Sequence, residues 1–171
     1  APTPEVYAQR QANLKTAMVE LVDEERQATA AALPTRGAEF LKLKVEGLKS
    51  CAEIIVVALM NGCEKHIFGK RTMPEMALSS AACAIQNMWL AARAEGIGLG
   101  WVSIFDPDKL AALLHMPTGA RPLAILCIGP VAAFPDKPLL ETQGWGQRLA
   151  MNDIVFENTW PADAQPTPTA Y

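Results

Sequence analysis

The stretch GLGWVSIFDP, at residues 98–107, carries one hydroxyl side chain, Ser103, directly after an apolar run. A short hydroxyl can donate or accept one hydrogen bond at the reactive edge of a bound ligand. Gly98 and Gly100 precede it, and glycine occurs where a backbone must approach a ligand closely. The pattern predicts a flat cofactor lying against residues 100–104. The alternative is that Ser103 is an ordinary hydroxyl at the end of a strand.

The three glycines at positions 96, 98 and 100 do not form a dinucleotide-binding loop. That fingerprint reads G-x-G-x-x-G after a strand and before a helix, whereas here the spacing differs and a helix precedes the strand. Gly96 is explained by the C-terminal cap of that helix. Asp106, followed by proline, is typical of a helix N-cap. These assignments do not explain Gly98 and Gly100, for which close approach of a ligand to the backbone remains an alternative.

Several other chemistries are not predicted. The sequence lacks G-x-S-x-G, and His66 and His115 are far apart, so a serine hydrolase is not indicated. No C-x-x-C pair occurs, which argues against zinc or another metal site and against a disulfide framework. Buried free thiols are the expectation for all four cysteines, which are Cys51, Cys63, Cys83 and Cys127.

Composition limits the partners of the chain. It has 171 residues, of which 50% are hydrophobic, and a formal net charge of -3. A nucleic-acid partner is not predicted, because no lysine or arginine cluster could follow a phosphate backbone. No membrane segment is predicted either, since the run at residues 54–60 is far shorter than the roughly 20 residues of a bilayer span. The N-terminus does not resemble a signal peptide, so a cytoplasmic location is expected.

The elements that must position Ser103 follow from periodicity and breakers. Leu14, Met18, Leu21 and Val22 lie on one face of a helix, and the apolar run of β-branched residues at 54–60 is typical of a strand covered on both faces. The segment 61–75 predicts a loop that could cover a site. The expected elements are helices at 6–32, 38–49, 76–96 and 107–114, and strands at 54–60, 97–105 and 122–129. This order predicts a three-layer α+β or α/β domain.

The helix at 76–96 has small residues in its first half, including Ala81, Cys83 and Ala84. Small residues allow close backbone approach, so we expect this helix at the centre of the fold or at a dimer interface. Its polar stripe, which includes Ser79, Gln86 and Arg93, would then need hydrogen-bond partners.

The chain changes character beyond Pro130. Residues 131–160 contain several prolines and little helical periodicity, which predicts an extended arm that wraps a partner subunit. Residues 161–171 are polar and proline-rich, and we expect them to be a disordered tail. The predicted organisation is therefore one domain at 1–160, including the arm, followed by the tail.

A family resemblance rests on four quoted segments. They are RTMPEM, CAIQNMWLAARAEGIGLGWVSIFDP, LLETQGWGQR and NDIVFENTWP, within residues 40–160. Together they strongly resemble the 5,6-dimethylbenzimidazole synthases (BluB), a group within the flavin-dependent nitroreductase superfamily. The resemblance implies an α+β nitroreductase-like fold, with a central antiparallel or mixed sheet flanked by helices and an extended C-terminal arm.

The resemblance also implies a function. In that family reduced FMN is both cofactor and substrate, and molecular oxygen fragments it to 5,6-dimethylbenzimidazole, the lower ligand of vitamin B12. A homodimer with flavin at the subunit interface is implied, with Arg71 and Met73 in a lid. Ser103 matches the serine implicated in catalysis. The implied cofactor-binding residues are Gly100, Trp101, Val102, Ser103, Ile104 and Arg148.

One departure from the family pattern concerns the N-terminus. The family begins with a helix and an R-R-x-x-R cluster that holds the FMN phosphate and includes a catalytic aspartate, and these are not in the sequence. We therefore expect this chain to bind FMN more weakly, by roughly 10² to 10⁴. Arg148 or Arg71 could supply a substitute charge. The alternatives are an NAD(P)H-dependent FMN nitroreductase and a catalytically impaired dimeric relative.

Overall fold

The computed structural model describes residues 4–42, 47–61 and 71–161. The first unit of the chain, residues 1–131, contains the sheet and five helices among its described residues. The helices are α1 Pro4–Ala32, α2 Gly37–Phe40, α3 Gly47–Ser50, α4 Met76–Ala94 and α5 Pro107–Leu113. The strands are β1 Glu53–Met60, β2 Ile97–Val102 and β3 Ala120–Pro130. No helix within the described ranges has both the length and the apolar character that a membrane crossing requires.

The sheet is antiparallel, with the order β1-β3-β2. Two neighbouring rows run across it. One row joins Val56, Ile125 and Val102, and the next joins Ile55, Leu126 and Trp101. Because side chains alternate along a strand, the two rows lie on opposite faces of the sheet.

We call the face of Ile125 the closed face and the face of Leu126 the open face. The closed face packs against α1, α3 and α5, in a buried cluster of Met18, Val22, Leu48, Phe105, Leu110, Ile125 and Cys127. The open face packs against α4 through Ile85, Leu99, Ala124 and Leu126. Helices on both faces of an antiparallel sheet confirm the predicted three-layer α+β architecture.

The first helix is confirmed, since α1 extends from Pro4 to Ala32. Met18 and Val22, four residues apart, are both buried against the closed face. The strands predicted at 54–60 and 122–129 are also confirmed within one or two residues at each end. Periodicity therefore located the elements whose apolar residues face the closed core.

The single helix predicted at 38–49 is wrong. The structure has α2 and α3 instead, and the intervening residues 43–46 lie outside the described ranges. After α2, the guanidinium of Arg26 donates a hydrogen bond to the carbonyl oxygen of Leu41. A continuous helix would need that carbonyl for its own backbone ladder. A side chain distant in sequence thus competes with continuation of the helix.

The predicted end of the second strand is also wrong. The strand was expected to continue through residue 105, but β2 ends at Val102. Phe105 is buried in the closed-face cluster, and the carboxylate of Asp106 accepts hydrogen bonds from the backbone N–H groups of Asp108 and Lys109 at 2.8 and 3.1 Å. The predicted N-cap is confirmed. It turns the chain into α5 and so ends the strand.

A second unit comprises residues 132–171. Its described part contains two short helices, α6 Leu139–Thr142 and α7 Met151–Ile154, and otherwise irregular chain. The rings of Phe156 and Trp160 lie 4.8 Å apart and tilted. The predicted arm thus includes two helical turns. Its wrapping of a partner and the 1–160 domain boundary stay predictions, and all of the predicted tail after residue 161 lies outside the described residues.

Candidate functional site

The three glycines near Ser103 have different structural explanations. Gly96 adopts a φ of 72° and its N–H bonds to the carbonyl of Arg93 at 3.2 Å, which confirms the predicted helix cap. A Cβ added at Gly98 would collide with the Val131 side chain. At Gly100, the same Cβ would meet only the Cβ of Cys127, at an ordinary 3.9 Å. Packing within the chain therefore accounts for the first two glycines and leaves Gly100 unexplained.

Trp101 and Val102 point to opposite faces. Val102 packs against the closed-face cluster, which fixes the end of β2. Trp101 lies opposite Leu126 and is 38% exposed on the open face. An indole that keeps this much exposure beside a fully buried leucine offers a flat apolar surface to a ligand or a partner.

Ser103 is the first residue beyond the last paired position of β2, and its side chain is exposed. Within the described part of the chain, its hydroxyl makes no hydrogen bond. Val102 on one side and Phe105 on the other are anchored in the closed-face cluster. The half-buried Ile104 lies between them. A hydroxyl between two anchored neighbours is held in place while remaining available to a ligand.

The outer edge of β2 is the second feature of this region. Among the described residues, β2 pairs with β3 on one side and with no strand on the other. An edge strand presents unpaired N–H and C=O groups at alternate residues. A planar ligand with donors and acceptors along its rim could bond to that edge. The arrangement therefore fits the heterocycle predicted for residues 100–104.

Helix α4 forms the wall of the open face. Ile85 is buried against the sheet, whereas Trp89 and Leu90 on the next turn are exposed. Cys83 and Ala84 are exposed as well, so they do not lie at the centre of the fold within one chain, and their place at a dimer interface stays a prediction. Cys83 also contradicts the prediction of buried thiols. The polar stripe of Ser79, Gln86 and Arg93 is exposed, because α4 buries only a narrow line of residues.

The predicted strand at 54–60 was expected to be covered on both faces, and this is wrong for the open face. Ile55, at the far end of the Leu126 row, is 39% exposed. Sequence reasoning did not single out Ile55 as part of this surface. The available signal was the lack of alternation in the run, which makes both faces of β1 apolar whether or not they are covered.

The remaining predicted site residues lie away from β2 in sequence. Arg148 is exposed in the second unit, between α6 and α7. Arg71 and Met73 are exposed in the turns before α4, and the rest of the predicted lid, residues 62–70, lies outside the described residues. The contact of Arg148 with a cofactor and the lid role of Arg71 and Met73 stay predictions.

Comparison with protein families connects this geometry with known proteins. The profile of the nitroreductase family matches residues 5–130, which include the whole sheet and the Ser103 region. The chain belongs to the nitroreductase family. The match ends at the last residue of β3, so it covers the elements that form both faces of the sheet.

Two curated relatives carry the same name. The 5,6-dimethylbenzimidazole synthase of Rhodospirillum rubrum is 36% identical over 133 residues, which is 75% of this chain and 63% of the relative. The 5,6-dimethylbenzimidazole synthase of Rhodobacter capsulatus is 36% identical over 126 residues, 72% of this chain and 61% of the relative. The matched part thus amounts to somewhat more than three fifths of each relative's length.

Solved structures confirm the nitroreductase fold. An iodotyrosine deiodinase bound to FMN and 3-iodo-L-tyrosine aligns with a TM-score of 0.62 at 18% identity, covering 87% of this chain and 72% of that one. The NfrA1 nitroreductase of B. subtilis aligns with a TM-score of 0.51 at 19% identity, covering 82% and 56%. At such low identities the likeness concerns the fold of this nitroreductase-family chain.

Proposed function

We propose that this nitroreductase-family protein is a flavin-dependent oxidoreductase that converts reduced FMN and molecular oxygen to 5,6-dimethylbenzimidazole. The observation that carries the proposal is the 36% identity with two relatives of that name. The edge of β2 beside Ser103 supports it, because its backbone groups have no partner strand among the described residues and could bond to a flat ring system.

Each residue of the segment 100–104 would have a separate role in binding or reaction. The backbone at Gly100, Val102 and Ile104 would bond to the polar rim of the flavin, and exposed Trp101 would add apolar contact. Reduced flavin supplies the electrons that oxygen requires. The Ser103 hydroxyl would hold a hydrogen bond at the reacting edge, where charge changes during the reaction. Arg148 would pair with the phosphate.

A homodimer is part of the proposal. Helix α4 exposes several large apolar side chains, and exposed apolar surface of this kind marks interaction sites. They are Met76, Leu78, Met88, Trp89 and Leu90. A second copy on the open face would cover these side chains and exclude water from the flavin. Gel filtration with light scattering should give twice the chain mass.

The activity is tested by mixing the purified protein with chemically reduced FMN and oxygen. We expect 5,6-dimethylbenzimidazole on chromatography, with a matching loss of flavin. Quantitative recovery of oxidised FMN, with peroxide as the other product, would contradict the proposal. A reaction without protein controls for spontaneous reoxidation of the flavin.

The second candidate is an NAD(P)H-dependent FMN nitroreductase, and the observation behind it is the match to the nitroreductase family profile. This candidate predicts rapid bleaching of protein-bound flavin by NAD(P)H. The proposed synthase receives flavin already reduced, so it should not need that reaction. Stopped-flow absorbance of the flavin under anaerobic conditions separates the two candidates.

A further inference from the structure

Two cysteines meet in the closed-face core, and one of them, Cys127, is also the cross-strand partner of Gly100. Cys127 lies on β3 and is buried in the closed-face cluster. Cys51 lies between α3 and β1, is half-buried, and packs against the same cluster. The two residues come from separate parts of the sequence. They form a thiol pair that neither the fold prediction nor the proposed function uses.

Gly129 explains how Cys51 reaches the strand. It follows Cys127 by two residues and therefore lies on the same face of β3. A Cβ added at Gly129 would lie 3.0 Å from the backbone nitrogen of Ala52 and 3.8 Å from the Cα of Cys51. The missing side chain lets this backbone lie directly against β3. Cys51 is thereby packed against the cluster that contains Cys127.

Three hydrogen bonds hold Cys51 in this position. Its N–H donates to the carbonyl of Gly47 at 2.8 Å, and its thiol donates to the carbonyl of Leu48 at 3.7 Å. The ammonium of Lys15 on α1 donates to the Cys51 carbonyl at 2.7 Å. Contacts with α3 and α1 thus fix the backbone of Cys51 beside the central strand.

The thiols also interact electrostatically. The pKa of Cys127 is raised to about 12, chiefly by burial and also by the charge of Cys51 and a hydrogen bond with its thiol, while Lys15 acts in the opposite direction. Cys127 therefore stays protonated at neutral pH. A buried, protonated thiol is a poor first nucleophile, whereas half-buried Cys51 is reached more easily from solvent.

We propose that Cys51 and Cys127 are an oxidation site that closes to an intramolecular disulfide in the presence of hydrogen peroxide. In the first step the Cys51 sulfur attacks one peroxide oxygen, the O–O bond breaks, and Cys51 sulfenic acid and one water form. In the second step the Cys127 sulfur attacks the Cys51 sulfur, the S–O bond breaks, and the thiol proton leaves with the hydroxyl as a second water. Two thiols are oxidised and one peroxide is reduced.

The pairing is specific among the described cysteines. Cys83 lies on α4, which packs on the open face, so the sheet separates it from this pair. A disulfide would join the segment before β1 to the central strand and close a long loop of chain. It should therefore raise the melting temperature, on the order of 5 °C. This effect requires neither flavin nor the proposed activity.

The test is peptide mapping of the protein before and after treatment with hydrogen peroxide. We expect a peptide pair joined between Cys51 and Cys127, loss of two free thiols per chain, and a higher melting temperature that dithiothreitol reverses. Cys51→Ser should abolish all three changes, and Cys83→Ser should leave them intact as the matched control. Because Cys51 is half-buried, its serine variant is the safer one for folding.

Two results would overturn the proposal. One is oxidation of Cys51 to sulfinic acid while Cys127 remains a free thiol, which would show that the sulfurs cannot bond. The other is a disulfide that uses Cys83, Cys63 or a second chain. Both are read from the wild-type digest, so the conclusion does not depend on the folding of any variant.

Discussion

The two faces of the sheet differ in how completely a single chain covers them. On the closed face, the central Ile125 is buried and its neighbours Val56 and Val102 pack against the same cluster. On the open face, Leu126 is equally buried, but its neighbours Ile55 and Trp101 remain 39% and 38% exposed. Among the described residues, one face thus receives three helices and the other receives α4 alone.

This difference assigns the stability of the fold mainly to the closed face and the binding of a ligand or a second subunit to the open face. The closed face has its apolar side chains packed by residues of the same chain, which is what an independent core requires. The open face keeps apolar surface next to a strand edge and a Ser103 hydroxyl that have no partner within the part of the chain that the structure describes. Surface of that kind is retained where a ligand or a second subunit covers it.

The largest effect is expected in the closed core. Leu110 on α5 is 0% exposed, so Leu110→Ala should lower the free energy of unfolding by about 2–5 kcal/mol through lost burial and a cavity. The matched change Leu90→Ala removes a side chain that is 59% exposed on α4, and should cost about 0.5 kcal/mol or less. Urea unfolding at low protein concentration measures both. Equal losses would mean that the open face is covered in solution.

The next effect concerns the reaction at the edge of β2 beside Ser103. Ser103→Ala should lower kcat by about 10² to 10³, provided the hydroxyl strengthens its hydrogen bond in the transition state. The melting temperature should not change, because this hydroxyl has no partner within the described chain. Ser50→Ala, at an exposed serine on α3, serves as the control. If the Ser103 variant forms product at the wild-type rate, the Ser103 hydroxyl takes no part in the reaction.

A smaller effect tests whether a second copy covers the open face. Ala84 is exposed on α4, so Ala84→Leu has room within one chain. In a dimer packed through α4 it should overpack the interface by roughly 1–3 kcal/mol. Sedimentation equilibrium should show weaker association. Ala31→Leu, at an exposed alanine on α1, is the control, and identical behaviour of the two variants would place the interface elsewhere.

The smallest effect compares two glycines on β2. Gly98→Ala collides with Val131 and should cost about 1 kcal/mol, since that partly exposed side chain can move aside. Gly100→Ala meets only ordinary contact and should change stability by about 0.5 kcal/mol or less. If backbone approach to flavin requires Gly100, its variant should nevertheless bind FMN more weakly in a fluorescence titration. Equal FMN affinity of Gly100→Ala and the wild type would show that flavin binding does not require glycine at this position.

Much of the fold was predictable because local signals and burial agree on the closed face. The periodicity that placed Met18 and Val22 on α1 reflects the core they enter, and Asp106 caps α5 through bonds to its own first turn. The candidate site was predictable in position, since Gly100 and Ser103 are distinctive residues in one short segment. Its exposure was not predictable, because the number of helices that cover a strand is set by contacts distant in sequence.

The sequence by itself determined the positions of the main helices and strands, the cap at Asp106 and the turn at Gly96, because each depends on neighbouring residues in the chain. Only the tertiary structure decided where β2 ends, why the helix predicted at 38–49 is interrupted, and that Cys51 meets Cys127. Each of these depends on a contact between parts of the chain that are distant in sequence: the cluster in which Phe105 is buried, the hydrogen bond of Arg26 to the Leu41 carbonyl, and the backbone of Gly129 against Ala52. Such contacts form only when the sheet and its helices have packed, so no local pattern records them.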